Sequence, residues 1–171
     1  MQENTSIEYA ANAPYPPVCV HERNPKYAAW MLDNVGGQRS EISAVSLYFY
    51  NRLITEECGN ELSEAFHKIS IVEMHHLEIF GKLACLLGEE PRLWTVSRRS
   101  KVYWSPGYNQ YPKHLPALLK NALNAELTTI EKYQNQIAHI QDPSITAILQ
   151  RIILDEKLHV SILEKMLGNL K

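Results

Sequence analysis

Cysteine is scarce in this chain and poorly spaced for structural chemistry. Cys19, Cys58 and Cys85 form no CxxC pair and cannot all be joined in disulfides, so neither a thiolate zinc site nor a disulfide framework is expected. Any metal would be held by oxygen and nitrogen. Glycine and proline are few, 7 and 9 of 171 residues, which excludes a collagen-like or low-complexity chain. Neither sign of charge dominates: 17 Lys and Arg against 19 Asp and Glu leave a formal charge of -2. That balance argues against a broad nucleic-acid footprint and against a polybasic membrane anchor. No apolar run approaches the roughly 20 residues that span a bilayer, and the opening MQENTSIEYAANAPYPP has neither the charged nor the apolar part of a signal peptide. The expected compartment is the cytosol. Aspartate is scarce as well, three residues beside 16 Glu, whereas seven His is generous. Helix propensity alone favours Glu over Asp, so the ratio matters only if particular Glu residues stand where helix propensity would not put them.

With 45% hydrophobic residues the chain can bury a core, and its length suits one domain. Residues 1–23, with Pro14, Pro16 and Pro17 and no sustained period, read as an arm; residues 24–171 read as the domain. Asn24-Pro25 has the form of a helix cap followed by proline in the first turn. The first helix is expected from there, weakened or kinked at Gly36-Gly37 and ending before Cys58-Gly59. Asn60 is expected to cap a second helix that closes at Gly88. A third is expected over Leu115–Ile140, and Asp142-Pro143 opens a fourth that runs to about Leu167. Short joins make the first pair and the last pair antiparallel neighbours. Residues 89–114, rich in Trp, Tyr and Pro, are long enough to retrace a helix of roughly 40 Å. The expected fold is therefore all-α, a four-helix bundle with a long crossover between its second and third helices.

Heptad spacing locates the interior. In the fourth helix the seam is Ile145, Leu149, Ile152, Glu156, His159, Leu163 and Met166; in the second it is Leu62, Phe66, Ile69, Glu73, His76, Phe80, Leu83 and Leu87. A Glu and a His interrupt each. The third helix carries Glu126, Ile130 and Tyr133 in its seam, and the first matches them with Glu41, Val45 and Tyr48. The chain is thus an internal repeat of two helical hairpins. Glu-x-x-His on its own is weak, since on the order of one match is expected by chance. Glu64-x-x-His67 is such a match, because it falls on the face of the second helix opposite Glu73 and His76. His75 points about 100° off the seam, toward surface or a neighbouring helix. His21, His114 and His139 follow no pattern, and Glu78 and Glu131 read as solvated, although Glu131 would approach the interior if its helix were rotated.

A carboxylate in an apolar core without partners is penalised by several kcal/mol. Four of them, Glu41, Glu73, Glu126 and Glu156, would also repel one another. No seam position in the last three helices is basic, and only Arg52 on the first is a candidate. Cations resolve the problem. Four carboxylates and two imidazoles suit iron or manganese, with zinc and cobalt as possible impostors, and six donors arranged as two equal halves imply two ions.

This constellation resembles the ferritin-like di-iron and di-manganese carboxylate superfamily over about residues 25–168. NPKYAAWMLDNVGGQRSEISAVSLYFY is similar to the first helix of manganese catalases, while the last two helices with LDEKLH are more like rubrerythrins and small bacterioferritin-like proteins. The resemblance implies that Glu41 and Glu126 are terminal ligands, that Glu73 and Glu156 bridge two iron or manganese ions, and that His76 and His159 bind one ion each. It implies that Asp155 orients a ligand histidine; the matching position in the second helix is Val72. Tyr48 and Tyr133 either donate hydrogen bonds to ligand carboxylates or are plain core aromatics. The implied activity is an oxidoreductase acting on hydrogen peroxide or dioxygen, catalase-like or peroxidase-like, in a homo-oligomer. The alternatives are iron oxidation and storage in a cage, and a structural bundle without catalysis. The chain contains no four-cysteine rubredoxin module, and Thr129 stands where rubrerythrins use an extra Glu. A peroxidase reaction would therefore need an external electron donor, which slightly favours disproportionation. The aromatic crossover is expected to cover the bundle or to form a dimer surface.

Overall fold

Asn24 and Asp142 start two of the helices as expected. The Asn24 side chain accepts from the amides of Lys26 and Tyr27 at 3.0 and 3.2 Å, and Asp142 accepts from Ser144 and Ile145 at 2.9 and 3.4 Å. In each case proline follows at the position whose amide would have no partner. The structure, a computed structural model, describes residues 8–97 and 100–170. Residues 1–7 of the expected arm, 98–99 of the crossover and Lys171 of the domain lie outside the described residues.

The elements are α1 (Pro25–Gly36), α2 (Glu41–Ile54), α3 (Asn60–Leu86), β1 (Trp94–Ser97), β2 (Ser100–Tyr103), α4 (Leu115–His139) and α5 (Pro143–Gly168). The fold is a ferritin-like four-helix bundle in which α1 and α2 together form the first helix. The expected kink is a full break. The crossover packs backbone against backbone here: a methyl group on Gly36 would lie 2.3 Å from the amide nitrogen of Trp94. Lys132 of α4 pins the break, its Nζ 2.8 Å from the Asp33 carboxylate and 2.6 Å from the main-chain oxygen of Arg39.

One local expectation is corrected. Asn60 does not cap α3; it is the first helical residue, and Gly59 is the cap with φ of +128°. A short turn at Glu56–Cys58 leaves the chain entering α3 through a backbone region that glycine alone occupies readily. Gly88 does close the helix as expected. Its φ is +100°, its amide bonds Cys85, and the Glu89 amide bonds Ala84 at 2.9 Å, the paired closure of a glycine-terminated helix. The crossover is not without regular structure. β1 and β2 pair antiparallel with Trp94 opposite Tyr103, and Trp94 is buried over α1 while Val96, Val102 and Tyr103 face outward. Trp104 donates to Ser43 at 2.9 Å, and Asn109 donates to the Ser43 carbonyl at 2.9 Å. The crossover therefore covers the α1–α2 break.

The core is two apolar clusters rather than one. Phe66, Ile69, Leu118, Leu119, Ala122 and Leu163 belong to one; Phe80, Leu83, Ile145, Leu149 and Ile152 belong to the other. Along α3 and α5 the segments 73–76 and 156–159 fall between them. No described helix is long and apolar enough to cross a membrane.

The close approach at Gly36 is testable. Gly36→Ala should lower folding stability by about 1–3 kcal/mol through overpacking, read as a lower urea midpoint. Gly168→Ala, with nothing within 4 Å of the added group, should leave the midpoint within about 0.5 kcal/mol of the parent.

Candidate metal centre

Each helix brings one part of the expected constellation inward. Glu41, at the first position of α2, is 1% exposed; Glu73 and His76 on α3, Glu126 on α4, and Glu156 and His159 on α5 are all buried. Glu and His three apart on a helix project side by side. The donor atoms of Glu41, Glu73, His76 and Glu156 all lie within 4.8 Å of one another, as do those of Glu73, Glu126, Glu156 and His159. Two groups that could each hold an ion thus share Glu73 and Glu156.

The sharing is visible atom by atom. Glu73 places Oε2 3.3 Å from His76 Nδ1 and Oε1 3.0 Å from His159 Nδ1. Glu156 places Oε1 3.3 Å from His76 Nδ1 and Oε2 3.2 Å from His159 Nδ1. Glu41 approaches His76 alone and Glu126 approaches His159 alone, each at 3.9 Å. Tyr48 and Tyr133 cross over: Tyr48 donates to Glu126 and Tyr133 donates to Glu41. Each tyrosine serves the carboxylate of the other half, not that of its own helix.

The outward nitrogens define the ring state. His159 Nε2 lies 2.9 Å from the carbonyl oxygen of Tyr9, which only accepts, so Nε2 carries the hydrogen and the lone pair of the neutral ring is on Nδ1. His76 Nε2 lies 3.0 Å from Asp155 Oδ2, and the Tyr15 hydroxyl, 3.2 Å from the same nitrogen, donates to that oxygen. Asp155 Oδ1 accepts the Ala11 amide at 2.6 Å and forms an ion pair with the Arg151 guanidinium at 2.7 Å. Burial raises the Asp155 pKa, but the bonds from His76, Arg151, Tyr15 and Ala11 outweigh it and hold the carboxyl below its ordinary range. Burial, with the bond to Asp155, pushes the Tyr15 hydroxyl up to about 12 against the pull of His76.

A lone pair on Nδ1 cannot face carboxylate oxygens at 3.0–3.3 Å without a proton or a cation between them. With protons, burial would depress the imidazoles, yet the carboxylates around them raise His76 and His159 well above the ordinary histidine range. Burial and then Glu73 raise Glu41; burial and then Glu156 raise Glu126. Burial acts the same way on Glu73, but the His159 and His76 imidazoles beside it leave it lowered, and Glu156 is likewise lowered against burial and against Glu73. The donor set fits cations better. Glu73 Oε1 and Glu156 Oε1 are buried without a hydrogen bond, and a buried orphan acceptor is costly unless something positive meets it.

The other sequence candidates fall away from this layer. Glu64 is exposed and pairs with Lys68; Arg52, the one basic candidate, bonds His67 Nδ1 at 3.0 Å. His75, Glu78 and Glu131 are exposed. Arg151, Tyr15, Tyr9 and Ala11 join the site without having stood among the sequence candidates. Arg151 had one available signal, its i,i+4 spacing to Asp155; the other three lie in an aperiodic segment that offered none.

The sequence model of the rubrerythrin family matches residues 37–167. No curated protein sequence matches the chain. KatB, a manganese catalase from Anabaena, has a similar structure, with TM-score 0.81 and 22% identity over 94% of this chain and 79% of that one. A Rhodobacter capsulatus bacterioferritin with a metal-free dinuclear site and haem iron gives TM-score 0.70 and 21% identity over 85% of this chain and 86% of its own. The Mycobacterium tuberculosis bacterioferritin BfrA gives 0.70 and 21% over 87% and 88%. At these identities the likeness concerns the fold.

Metal removal should reverse the pH dependence of stability. Raised folded-state pKa values, those of His76, His159, Glu41 and Glu126, contribute stability that is present below the unfolded values and lost as pH rises through the folded ones. The lowered groups Glu73, Glu156 and Asp155 lose their contribution only in acid. Chelated protein should therefore melt at a lower temperature at about pH 9 than at about pH 6. Protein with excess Mn(II) should show no such fall, because protons compete for the same atoms. Differential scanning calorimetry at both pH values checks this.

Proposed function

The chain belongs to the rubrerythrin family, and from that premise we propose that it is an oxidoreductase with a dinuclear iron or manganese centre acting on hydrogen peroxide, by disproportionation. One observation carries the reading: two carboxylate–imidazole groups with Glu73 and Glu156 in common, buried between apolar clusters. In the proposal one ion would be held by Glu41 and His76 and the other by Glu126 and His159, with Glu73 and Glu156, which belong to both groups, serving both. A pair of adjacent redox-active ions supplies two-electron exchange with a peroxide.

The residues of the chain do the rest. Tyr48 and Tyr133 occupy one oxygen of Glu126 and Glu41 and so restrict how those carboxylates turn. Tyr48 and Tyr133 are themselves pushed well above the ordinary phenol range by burial and by the facing carboxylates, so they remain donors. Disproportionation is balanced internally, two peroxides giving two waters and one dioxygen, with the electrons and protons removed from one peroxide delivered to the other. The catalase activity of a protein with the same fold supports this choice over iron storage.

The test is elemental analysis followed by a peroxide assay with oxygen detection. About two Mn or Fe ions per chain and about one dioxygen per two peroxides consumed are expected. Fewer than about two ions after reconstitution would refute the dinuclear centre. Peroxide consumption without dioxygen, dependent on an added electron donor, would replace disproportionation by peroxide reduction. Glu156→Ala should bind fewer than about two ions; a variant that retains both contradicts the bridging role.

A further inference from the structure

The segment ahead of α1 lies along α5 in the opposite direction and in register with it. The Tyr9 carbonyl meets His159, the Ala11 amide meets Asp155, and the Ala11 and Ala13 carbonyls meet Arg151 at 2.7 and 2.6 Å. Contacts recur every two residues in the segment and every four in the helix. Two extended residues rise about 6.6 Å and four helical residues about 6 Å, so the two chains stay matched over these turns.

Three features make this more than surface packing. First, the repeat leaves a gap. His76 has Asp155 as the acceptor for its outer nitrogen, but the residue matched to Asp155 in the other half is Val72, which has no acceptor to offer. The Tyr9 carbonyl supplies the equivalent acceptor to His159. Second, Arg151 is only 5% exposed, and a buried guanidinium is retained only with partners. Its partners are the two segment carbonyls, Asp155 and the Tyr15 ring, 4.0 Å away. Third, the Tyr15 hydroxyl sits on the Asp155 oxygen that also meets His76.

We propose that residues Tyr9 to Tyr15 are a positioning strap that fixes the ring orientation and hydrogen placement of both site histidines, so that metal retention depends on a segment outside the helical bundle. This rests on the dinuclear reading above. Tyr15 and Arg151 are positioning residues: they act through Asp155, His76 and His159 and touch neither ion nor substrate. Partners of this kind, once removed, typically weaken metal binding about 10- to 100-fold.

The experiment uses the full chain and Mn(II), in competition with a chromogenic chelator. Tyr15→Phe removes only a hydroxyl and should weaken one ion about tenfold; Arg151→Met, which releases the strap, should weaken both by about 10- to 100-fold. Tyr50→Phe, which loses only a bond to the Tyr111 carbonyl, should bind as the parent does. Binding linkage is reciprocal, so Mn(II) should slow hydrogen exchange at the amides of residues 9–13 and of Tyr15 in the parent, by at least about tenfold at Ala11. A strap that serves stability alone would lower the urea midpoint of loaded and chelated protein equally and leave the chelator competition unchanged; that outcome overturns the proposal. Should Arg151→Met fail to fold, Tyr15→Phe and the exchange measurement decide the matter together. A parent that binds no Mn(II) or Fe(II) overturns the strap and the dinuclear reading alike, whereas a parent with two ions and unaltered variants overturns the strap only.

Discussion

Four carboxylates converge on two imidazole nitrogens inside an apolar bundle, and every neighbouring feature answers the electrostatic problem this creates. Isolated ions transferred from water to such an interior are penalised by several kcal/mol each, and at 3.0–3.3 Å the Nδ1 lone pairs and carboxylate oxygens repel. The four glutamates differ in how they meet the problem. Glu73 and Glu156 each span both histidines and are held ionised by them. Glu41 and Glu126 each touch one histidine at longer range, are pushed toward the protonated form, and take a tyrosine hydroxyl on the other oxygen. Two divalent ions would remove the conflict while keeping every one of these side chains in place, since the atoms that now compete for protons are the atoms that would bind metal.

The internal repeat accounts for the symmetry of the inner layer, and its imperfections account for the rest. Repeated seams supply Glu41 with Glu126, Glu73 with Glu156, His76 with His159 and Tyr48 with Tyr133. Outside that layer the halves diverge. Asp155 backs one histidine and a backbone carbonyl from another part of the chain backs the other. Histidine ligands need an outward acceptor to set their hydrogen placement, so a half that has Val72 in place of a carboxylate must obtain the acceptor from elsewhere. The buried charge of Arg151 holds in place the segment that provides it.

These differences explain which parts were legible in the sequence. Heptad spacing is a direct consequence of helix geometry, so the seams, the buried position of all six candidate residues and the rejection of Glu64 and His67 could be read from spacing alone. Asn24 and Asp142 were legible because cap chemistry is local. Asn60 misled for the same reason: a good cap residue lost to Gly59, because the preceding turn demands a positive φ that no spacing rule foresees. The crossed pairing of Tyr48 and Tyr133 depends on how helices lie against each other, and the contacts of Tyr9, Ala11 and Tyr15 depend on a segment with no period. Tertiary register, unlike periodicity, leaves no mark within a window of 10–20 residues.

The break between α1 and α2 belongs to the same logic. A continuous helix would bury the whole first strand of the bundle in one alignment; the break lets α2 begin at Glu41 itself, where the positive end of the helix dipole faces a carboxylate. The break in turn exposes main-chain groups that need partners. Lys132 satisfies the carbonyls of Asp33 and Arg39, and its burial, which lowers its pKa, is tolerated because the Asp33 carboxylate lies beside it. Trp104 and Asn109 of the crossover take Ser43, in the first turn of α2, and Trp94 lies against Gly36. The crossover thus does more than connect α3 to α4: its aromatic side chains hold the start of α2, and with it the carboxylate of Glu41, at the depth where His76 and Tyr133 meet it.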